Sequence, residues 1–583
     1  MASPRELEEL VFKHAVLNAV KHKGRADLKA VLGKVFAEDP SLRARAREVV
    51  ELAKRIVEEV NERGLAELRS IAEERWPREL EERKREVEEK RLPPLPNVEK
   101  YERVVTRFAP NPDFALHLGS ARPAILSYEY ARMYEGKFIL RFEDTDPKTK
   151  APVAEAYEAI REDLRWLGLE WDEEHIQSLR MEVYYEHARR LIELGGAYVC
   201  ECSVSEMREM RARGVRCEHA EEPVELQLEK WDRMLEGAYG EGEAVLRVKT
   251  DISHPDPSVR DWVAFRIIDT SRYPHPLVGD KYVVWPTYNF ACGVDDHLMG
   301  VTHVLRAKEH ITNTVKQRFL YDHFGWEYPE TIHFGRLKLE GVVLSKSRMR
   351  EGIERGLYKG WDDPRLGTLS ALRKRGFLPE AVWKIVLDVG IKPSEATISL
   401  ANLYAANRAL LEPIANRYMF VPEPLEVEIA CSEEVLVARI PYHPSYPERG
   451  FREIRVALED GKGRICMPKA DLENLAGREV RLLGLANFRL HEERGFFRAV
   501  YVNDSIEYAR ERGLPIIQWV PADRCVETEV VVPRGAELIV LRGFSEEEVG
   551  RLERDDRIQF YRVGFVRIEE VRESKVLAYF THD

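Results

Sequence analysis

The sequence of 583 residues predicts an α/β protein: a parallel-sheet core interrupted by an insertion, with a helical extension before it and a β-rich tail after it. Three observations carry this reading. A strand, a helix and a second strand follow one another between residues 104 and 142, a spacing that fits a βαβ crossover and therefore parallel pairing. Apolar residues recur at helical spacing before residue 90. Beyond residue 425, short β-branched runs alternate with turn residues.

In chain order, Leu7, Leu10, Val11 and Ala15, then Val49, Leu52, Ile56 and Val60, place one apolar face on each of two helices. Residues 81–91 alternate in charge like a solvated helix face. Leu92-Pro93-Pro94-Leu95-Pro96-Asn97 breaks any helix, so the extension is assigned 1–96. Val104-Val105-Thr106-Arg107-Phe108 reads as a buried strand, about 120–134 as a helix stopped by Gly136, and residues 137–142 as the next strand. Helices follow at about 153–167 and 179–195, closing a first half at 97–199. Residues 200–280 are less regular and form the insertion. Parallel-sheet character is expected to return at Tyr282-Val283-Val284-Trp285 and at 301–305, within a second half spanning 281–350. A helical stretch at 351–412 precedes the tail of barrel or sandwich type at 413–583.

Composition excludes several classes. No apolar run approaches the roughly 18 residues of a membrane span, and the charged N-terminus does not read as a secretory signal. Seven scattered cysteines fit a reducing compartment, so a cytoplasmic location is expected. The net charge of -12 leaves a nucleic-acid partner open, because an acidic chain can carry a basic surface locally.

Two short strings carry phosphate chemistry. His117-Leu118-Gly119-Ser120 enters the first helix of the βαβ unit, where free N–H groups and the helix dipole favour anions, and Gly119 permits close approach. Leu344-Ser345-Lys346-Ser347, after Gly341, puts a lysine between two hydroxyls on a loop suited to closing on a polyphosphate. No G-x-x-x-x-G-K-[ST] string is present. Cys200-x-Cys202 and Cys217-x-His219 offer three thiols and an imidazole, a closed tetrahedral shell for one structural Zn²⁺. Cys292, Cys431, Cys466 and Cys525 are expected in cores. The Asp144/Asp146 and Asp295/Asp296 pairs are expected to cap loops and start helices rather than to bind metals.

The order of these strings around a split sheet resembles the class I aminoacyl-tRNA synthetases. Longer strings narrow the resemblance to the glutamyl/glutaminyl subgroup: Arg107-Phe108-Ala109-Pro110-Asn111-Pro112, Arg141-Phe142-Glu143-Asp144-Thr145-Asp146-Pro147, Pro286-Thr287-Tyr288, residues 294–303 and Gly360-Trp361-Asp362-Asp363-Pro364-Arg365. The β tail is similar to that of the archaeal and eukaryotic glutamyl branch. Ser120 stands where the family has a second histidine, and Phe114 where it often has glycine. The resemblance implies a Rossmann-like catalytic domain, an acceptor-stem-binding insertion, a helical stem-contact region and β-barrel anticodon-binding domains.

The resemblance also implies site residues and partners. Arg107 and Arg306 would take the carboxylates of L-glutamate and Glu143 its ammonium; Ala109, Asn111 and Tyr288 would line the pocket. His117 and Lys346 would be catalytic. ATP, with Mg²⁺, would meet His117, Gly119, Ser120, Glu309, Leu337, Lys338, Ser345, Lys346 and Ser347. Arg306 favours glutamate over glutamine, since glutaminyl enzymes carry a small uncharged residue there and a desolvated arginine opposite an amide is left unpaired, at a cost of roughly 3–5 kcal/mol; a glutaminyl enzyme is the alternative. The tRNA partner would be tRNA(Glu), with tRNA(Gln) left open, and the chain is expected to act as a monomer. Basic residues Arg208, Arg211, Arg213 and Arg216 are expected toward the acceptor stem, and Arg557, Arg562 and Arg567, near Phe560 and Tyr561, toward unpaired anticodon bases. The role of residues 1–95 is left open.

Overall fold

The structure, a computed structural model, describes residues 4–21, 25–76, 92–340, 345–493, 495–573 and 575–583. The charged stretch 81–91 and, in the second phosphate motif, Gly341 and Leu344 lie outside these residues. The chain divides into two compact units, Met1–Pro94 and Leu95–Asp583.

The first unit is built from helices α1 (Pro4–Lys21), α2 (Leu28–Glu38), α3 (Ala46–Asn61) and α4 (Leu65–Arg75). Leu7, Val11 and Ala15 of α1 and Val49, Ile56 and Val60 of α3 are buried together, while Leu10 and Leu52 pack at the margin. The helical period thus places one face of each helix in a shared core. Asp27 caps α2, its carboxylate accepting the Ala30 N–H at 2.7 Å.

The second unit opens with β1 (Val105–Phe108), α5 (Leu118–Met133), β2 (Lys137–Phe142), α6 (Ala154–Trp166) and β3 (Glu173–Ile176). The three strands pair in parallel, with Arg107 opposite Ile139 and Arg141 opposite His175. Helix α7 (Met181–Glu193) leads into the insertion, which holds β4 (Ala197–Cys200), α8 (Val204–Arg213), α9 (Val224–Leu235), β5 (Val245–Val248), β6 (Val263–Ile267) and β7 (Val284–Pro286). Strands β4 to β7 form an antiparallel sheet in sequence order. This corrects the expectation of a parallel strand at 282–285. The run is apolar because Val284 and Trp285 pack against Trp231, Phe265 and Phe290 in the insertion's own core, and an apolar run reports burial rather than strand direction.

The main sheet resumes after α10 (Tyr288–Leu298) with β8 (His303–Ala307), α11 (Ile311–Phe324) and the parallel strand β9 (Glu330–Phe334). Thr302 joins the halves: its N–H donates to the Val105 carbonyl at 2.9 Å, and its hydroxyl oxygen accepts the Val105 N–H at 2.8 Å. The ladders β3-β2-β1 and β8-β9 are separate, and the Thr302 bonds set the start of β8 beside β1, so that the strands lie in the order β3-β2-β1-β8-β9 with the switch point between β1 and β8. Strand β10 (Leu337–Glu340), helices α12 (Lys346–Glu354), α13 (Leu369–Lys374) and α14 (Pro379–Val389), strand β11 (Ala396–Ser399) and α15 (Leu400–Leu411) follow, with β10 and β11 paired in parallel. The tail carries two seven-stranded sheets. One wraps a core that includes Val427, Ile465, Phe488 and Trp519, the other a core that includes Val530, Phe560 and Val566.

Candidate active site

A cavity of about 870 Å³ opens at the carboxyl ends of β1 and β8, where ligands of open α/β sheets bind. Arg107, Ala109, Asn111, Glu143, Tyr288 and Arg306 line one end, and His117, Gly119, Ser120, Glu309, Leu337, Lys338, Ser345 and Lys346 line the other. Ser347 is not among the lining residues; its hydroxyl meets that of Ser345 at 3.0 Å. Chain segments more than two hundred residues apart thus share one wall.

At the first end, buried charges form a network. Arg107 on β1 donates to Asp296 through Nε at 3.1 Å and Nη2 at 3.3 Å. Arg141 on β2 donates to Asp296 at 2.8 Å and to Glu143 at 3.0 Å. Burial would raise the Asp296 pKa, but Arg107 and Arg141 hold it well below the usual carboxylate range. Glu143 is raised instead, because burial outweighs Arg141. Arg306 differs in kind. It is buried, and its Nη2 donates at 2.5 Å to Thr314, 3.1 Å to Gln317 and 3.0 Å to Tyr328, all neutral groups, while Nη1 lies 3.5 Å from the Tyr288 hydroxyl. Its Nε has no partner among the described residues. Arg107 and Arg141 thus pair with the carboxylates of Asp296, Glu143 and Asp295, the last 4.0 Å from Arg141 Nε, whereas Arg306, at the cavity wall, has no carboxylate partner among the described residues.

Arg141 and Asp296 were not anticipated as parts of this network. The signal for Arg141 is a charged residue inside an otherwise apolar strand, which requires a buried anion. The expectation that the aspartate pairs cap loops and start helices holds for Asp146, which accepts the Thr149 N–H at 2.8 Å. It is corrected for the others. Asp144 is buried and accepts from Tyr157 and Ser178; Asp295 accepts from Gln177, Arg180 and Tyr184 in the middle of α10. Asp144 anchors the loop after β2 to Tyr157 and Ser178, while α10 turns Asp295 toward the segment 177–184 and Asp296 toward Arg107 and Arg141.

At the second end, His117 precedes the first turn of α5 and forms an antiparallel bridge with Thr368, flanked by hydrogen bonds from Leu118 N–H to the Gly367 carbonyl (3.3 Å) and from Leu369 N–H to the Leu116 carbonyl (2.9 Å). Burial, reinforced by Lys346, lowers the His117 pKa to about 4, so the imidazole is neutral near pH 7. Its Nδ1 is buried without a partner among the described residues. A Cβ on Gly119 would stand 2.8 Å from the His117 ring, so glycine is required for this ring position. Asn111 Oδ1 is another buried atom at the cavity without a partner among the described residues. Lys346 donates to Asp113 at 2.7 Å, Arg336 to Glu309 at 2.6 Å and Lys338 to Glu395 at 2.6 Å. Unpartnered buried polar atoms around one cavity are what a polar ligand would satisfy.

In the insertion, the ligand atoms of Cys200, Cys202, Cys217 and His219 all lie within 4.8 Å of one another. His219 offers Nδ1, 2.9 Å from Cys217 Sγ and 3.6 Å from Cys202 Sγ, while its Nε2 lies 3.5 Å from Glu201. A carboxylate on the far ring nitrogen is the usual companion of a metal-bound histidine. Of the other cysteines, Cys292 and Cys466 are buried, and Cys431 and Cys525 are half-buried.

The basic runs are largely spent inside the protein. Arg216 pairs with Asp261 at 2.9 Å and Arg211 donates to the Arg260 carbonyl at 3.1 Å, leaving Arg208 and Arg213 exposed. In the tail, Phe560 is fully buried, Arg562 pairs with Asp471 at 2.6 Å, and Arg567 is buried and paired with Asp555 and Glu569. Phe560 and Arg567 therefore offer no exposed stacking or charge, which corrects the expectation for these two, while Arg562 is exposed next to a half-buried Tyr561. The reason is that Phe560 packs into the core, while Arg557 and Arg567 donate to the Gly376 and Lys374 carbonyls.

Comparison with known proteins gives a consistent picture. The family described as tRNA synthetases class I (E and Q), catalytic domain, matches residues 103–413, and two anti-codon binding domain families of the same group match residues 415–502 and 516–569. The chain is 53% identical over 581 residues to a glutamate–tRNA ligase of Thermofilum pendens, covering 99% of this chain and 100% of that one. It is 51% identical to the glutamate–tRNA ligase of Pyrococcus furiosus, with coverage of 99% and 100%, and 54% identical to that of Pyrobaculum calidifontis, with coverage of 96% and 98%.

Proposed function

The chain belongs to the class I tRNA synthetases of the glutamate and glutamine group, and from that premise we propose that it is a glutamate–tRNA ligase, activating L-glutamate with ATP and transferring it to tRNA(Glu). The observation that carries the choice of amino acid is Arg306, a buried guanidinium bonded only to neutral groups. A side-chain carboxylate on the substrate would give this guanidinium the anionic partner it lacks, whereas the amide of glutamine would not.

In this reading Arg306 and Arg107 hold the two carboxylates, and Glu143 exchanges Arg141 for the substrate ammonium. Tyr288, Ala109 and Asn111 shape the pocket wall. The α-carboxylate oxygen attacks the α-phosphorus of ATP, the bond to the β-phosphate bridging oxygen breaks, and pyrophosphate leaves. A hydroxyl of the terminal tRNA adenosine then attacks the glutamyl carbonyl and AMP departs with the electron pair. No side chain forms a covalent bond to the substrate; alignment and charge stabilisation by the chain do the work. Neutral His117 can donate one N–H to a phosphate oxygen, Gly119 and Ser120 admit the phosphates to the end of α5, and Lys346 neutralises charge that develops as pyrophosphate leaves. Glu309, Leu337 and Lys338 border the adenosine side, and Ser345 and Ser347 shape the turn into α12. Mg²⁺ accompanies ATP, held mainly by phosphates and water.

The donor set of Cys200, Cys202, Cys217 and His219, with Glu201 behind the imidazole, fits one Zn²⁺, which would cross-link the start of the insertion without taking part in the chemistry. The enzyme is taken to act in the cytoplasm as a monomer; no described helix is long and apolar enough to cross a membrane. The test is charging of purified tRNA(Glu) and tRNA(Gln) with labelled glutamate and glutamine. Glutamate on tRNA(Glu) is expected, and whether tRNA(Gln) also accepts it is read from the same assay. Preferential transfer of glutamine would overturn the proposal.

A further inference from the structure

A residue that belongs to neither phosphate motif, Asp113, joins them. Asp113 lies in the loop before His117, and its carboxylate accepts from Lys346 Nζ at 2.7 Å. Its main-chain carbonyl accepts from Arg350 Nη2 at 2.7 Å, one turn further along α12. Phe114, next in sequence, is 1% exposed and packs with Met349 of α12, Leu366 and Ala371, its ring 5.2 Å from that of Trp361. The first turns of α12 are thus fastened at three points to the loop that delivers His117. This accounts for a bulky Phe114: the ring is the apolar anchor of the junction.

Two of these contacts are indifferent to the state of the lysine, and one is not. The Arg350 bond uses a backbone carbonyl, and the Phe114 cluster is apolar. The Asp113–Lys346 pair commits a lysine of the cavity wall to a carboxylate in the loop before His117, where a polyphosphate would need the same cation. The side chains are 31% and 17% exposed, so water competes and the pair is exchangeable.

We propose that Asp113 is a positioning residue that stores Lys346 beside the phosphate site, so that ATP binds by exchanging the Asp113 carboxylate for its own phosphate oxygens while Phe114 and Arg350 keep α12 in register. The proposal rests on the reading of Lys346 as a phosphate ligand. A partly exposed ion pair offsets an equilibrium by a small factor, roughly two- to fivefold.

The experiment is calorimetric titration of MgATP into the full chain and its D113N, K346A and D113N/K346A variants, without amino acid or tRNA, alongside hydrogen exchange of the α12 amides. The expected result is a Kd for ATP about two- to fivefold lower in D113N, no such gain in the K346A background, and faster exchange at Lys346 and its neighbours in D113N before ATP is added. A merely structural Asp113 would weaken ATP binding on substitution, which would overturn the proposal. An unchanged Kd would overturn it too, as would an equal gain in the K346A background, since that would mean simple repulsion of phosphate by Asp113. D113S repeats the measurement should D113N fold poorly. Absence of ATP binding by the unaltered chain would remove the phosphate-site reading itself, whereas intact binding with no gain in D113N would remove only the storage role.

Discussion

The two ends of the cavity solve the problem of holding charge in different ways. At the amino-acid end, Arg107, Arg141 and Asp296 stand on the sheet strands and α10, out of water and paired with one another, and Arg306 is buried beside them among neutral groups. At the phosphate end, Lys346 is partly exposed at the start of α12 and is paired with a partner it can leave. Desolvated charges on rigid elements discriminate between substrates, because every uncompensated unit is expensive. Exchangeable charges on a helix start suit a group whose charge rises and falls during a reaction.

Four changes would sharpen or break this contrast. The largest effect is expected for D296N, which leaves Arg107 and Arg141 with one carboxylate fewer while preserving shape. Denaturant unfolding should show a loss of about 3–5 kcal/mol, and a change below about 1 kcal/mol would mean that the amino-acid end is not a preorganised buried network. Next, R306A should lower kcat/KM for glutamate by roughly two to three decades, with glutamine far less affected. Equal losses for both amino acids would place Arg306 in folding rather than selection. K346A should lower kcat by about a hundredfold with the KM for glutamate nearly unchanged; a large rise in that KM would show that the two ends do not act separately. The smallest effect at either end is expected from C217S. Elemental analysis should find one Zn²⁺ in the unaltered chain and none in the variant, with impaired charging of tRNA but an ATP Kd within about twofold. A fully folded, active preparation without metal would reject the zinc site.

Much of the fold is legible in the sequence because it rests on local rules. The period of Leu7, Val11 and Ala15 marks a core-facing helix, and the strand–helix–strand spacing from residue 104 marks parallel pairing. What escapes is whatever depends on a distant partner. The apolar run at 282–285 shows burial but not that its neighbour is the antiparallel β6. Asp295 and Asp296 read as loop caps or helix starts, and only the placement of α10 beside β1 and β2 brings Asp296 to two arginines. Arg562 and Arg567 read as free cations, yet their partners Asp471 and Lys374 lie 91 and 193 residues away in sequence. Asp113 carries no signal of its own until α12 is laid against it.

The sequence alone therefore determines the helical and strand periods, the glycine and hydroxyl chemistry of the two phosphate motifs, the Cys/His donor set and the presence of arginines in strands. Those properties follow from side chains and their neighbours a few positions away. The tertiary structure decides which charges are neutralised and which are left over: Arg107 is matched by Asp296, while Arg306 meets only neutral groups. That difference is electrostatic and non-local. The strength of a charge depends on burial and on the nearest opposite charge, and both are set by the order of strands in the sheet.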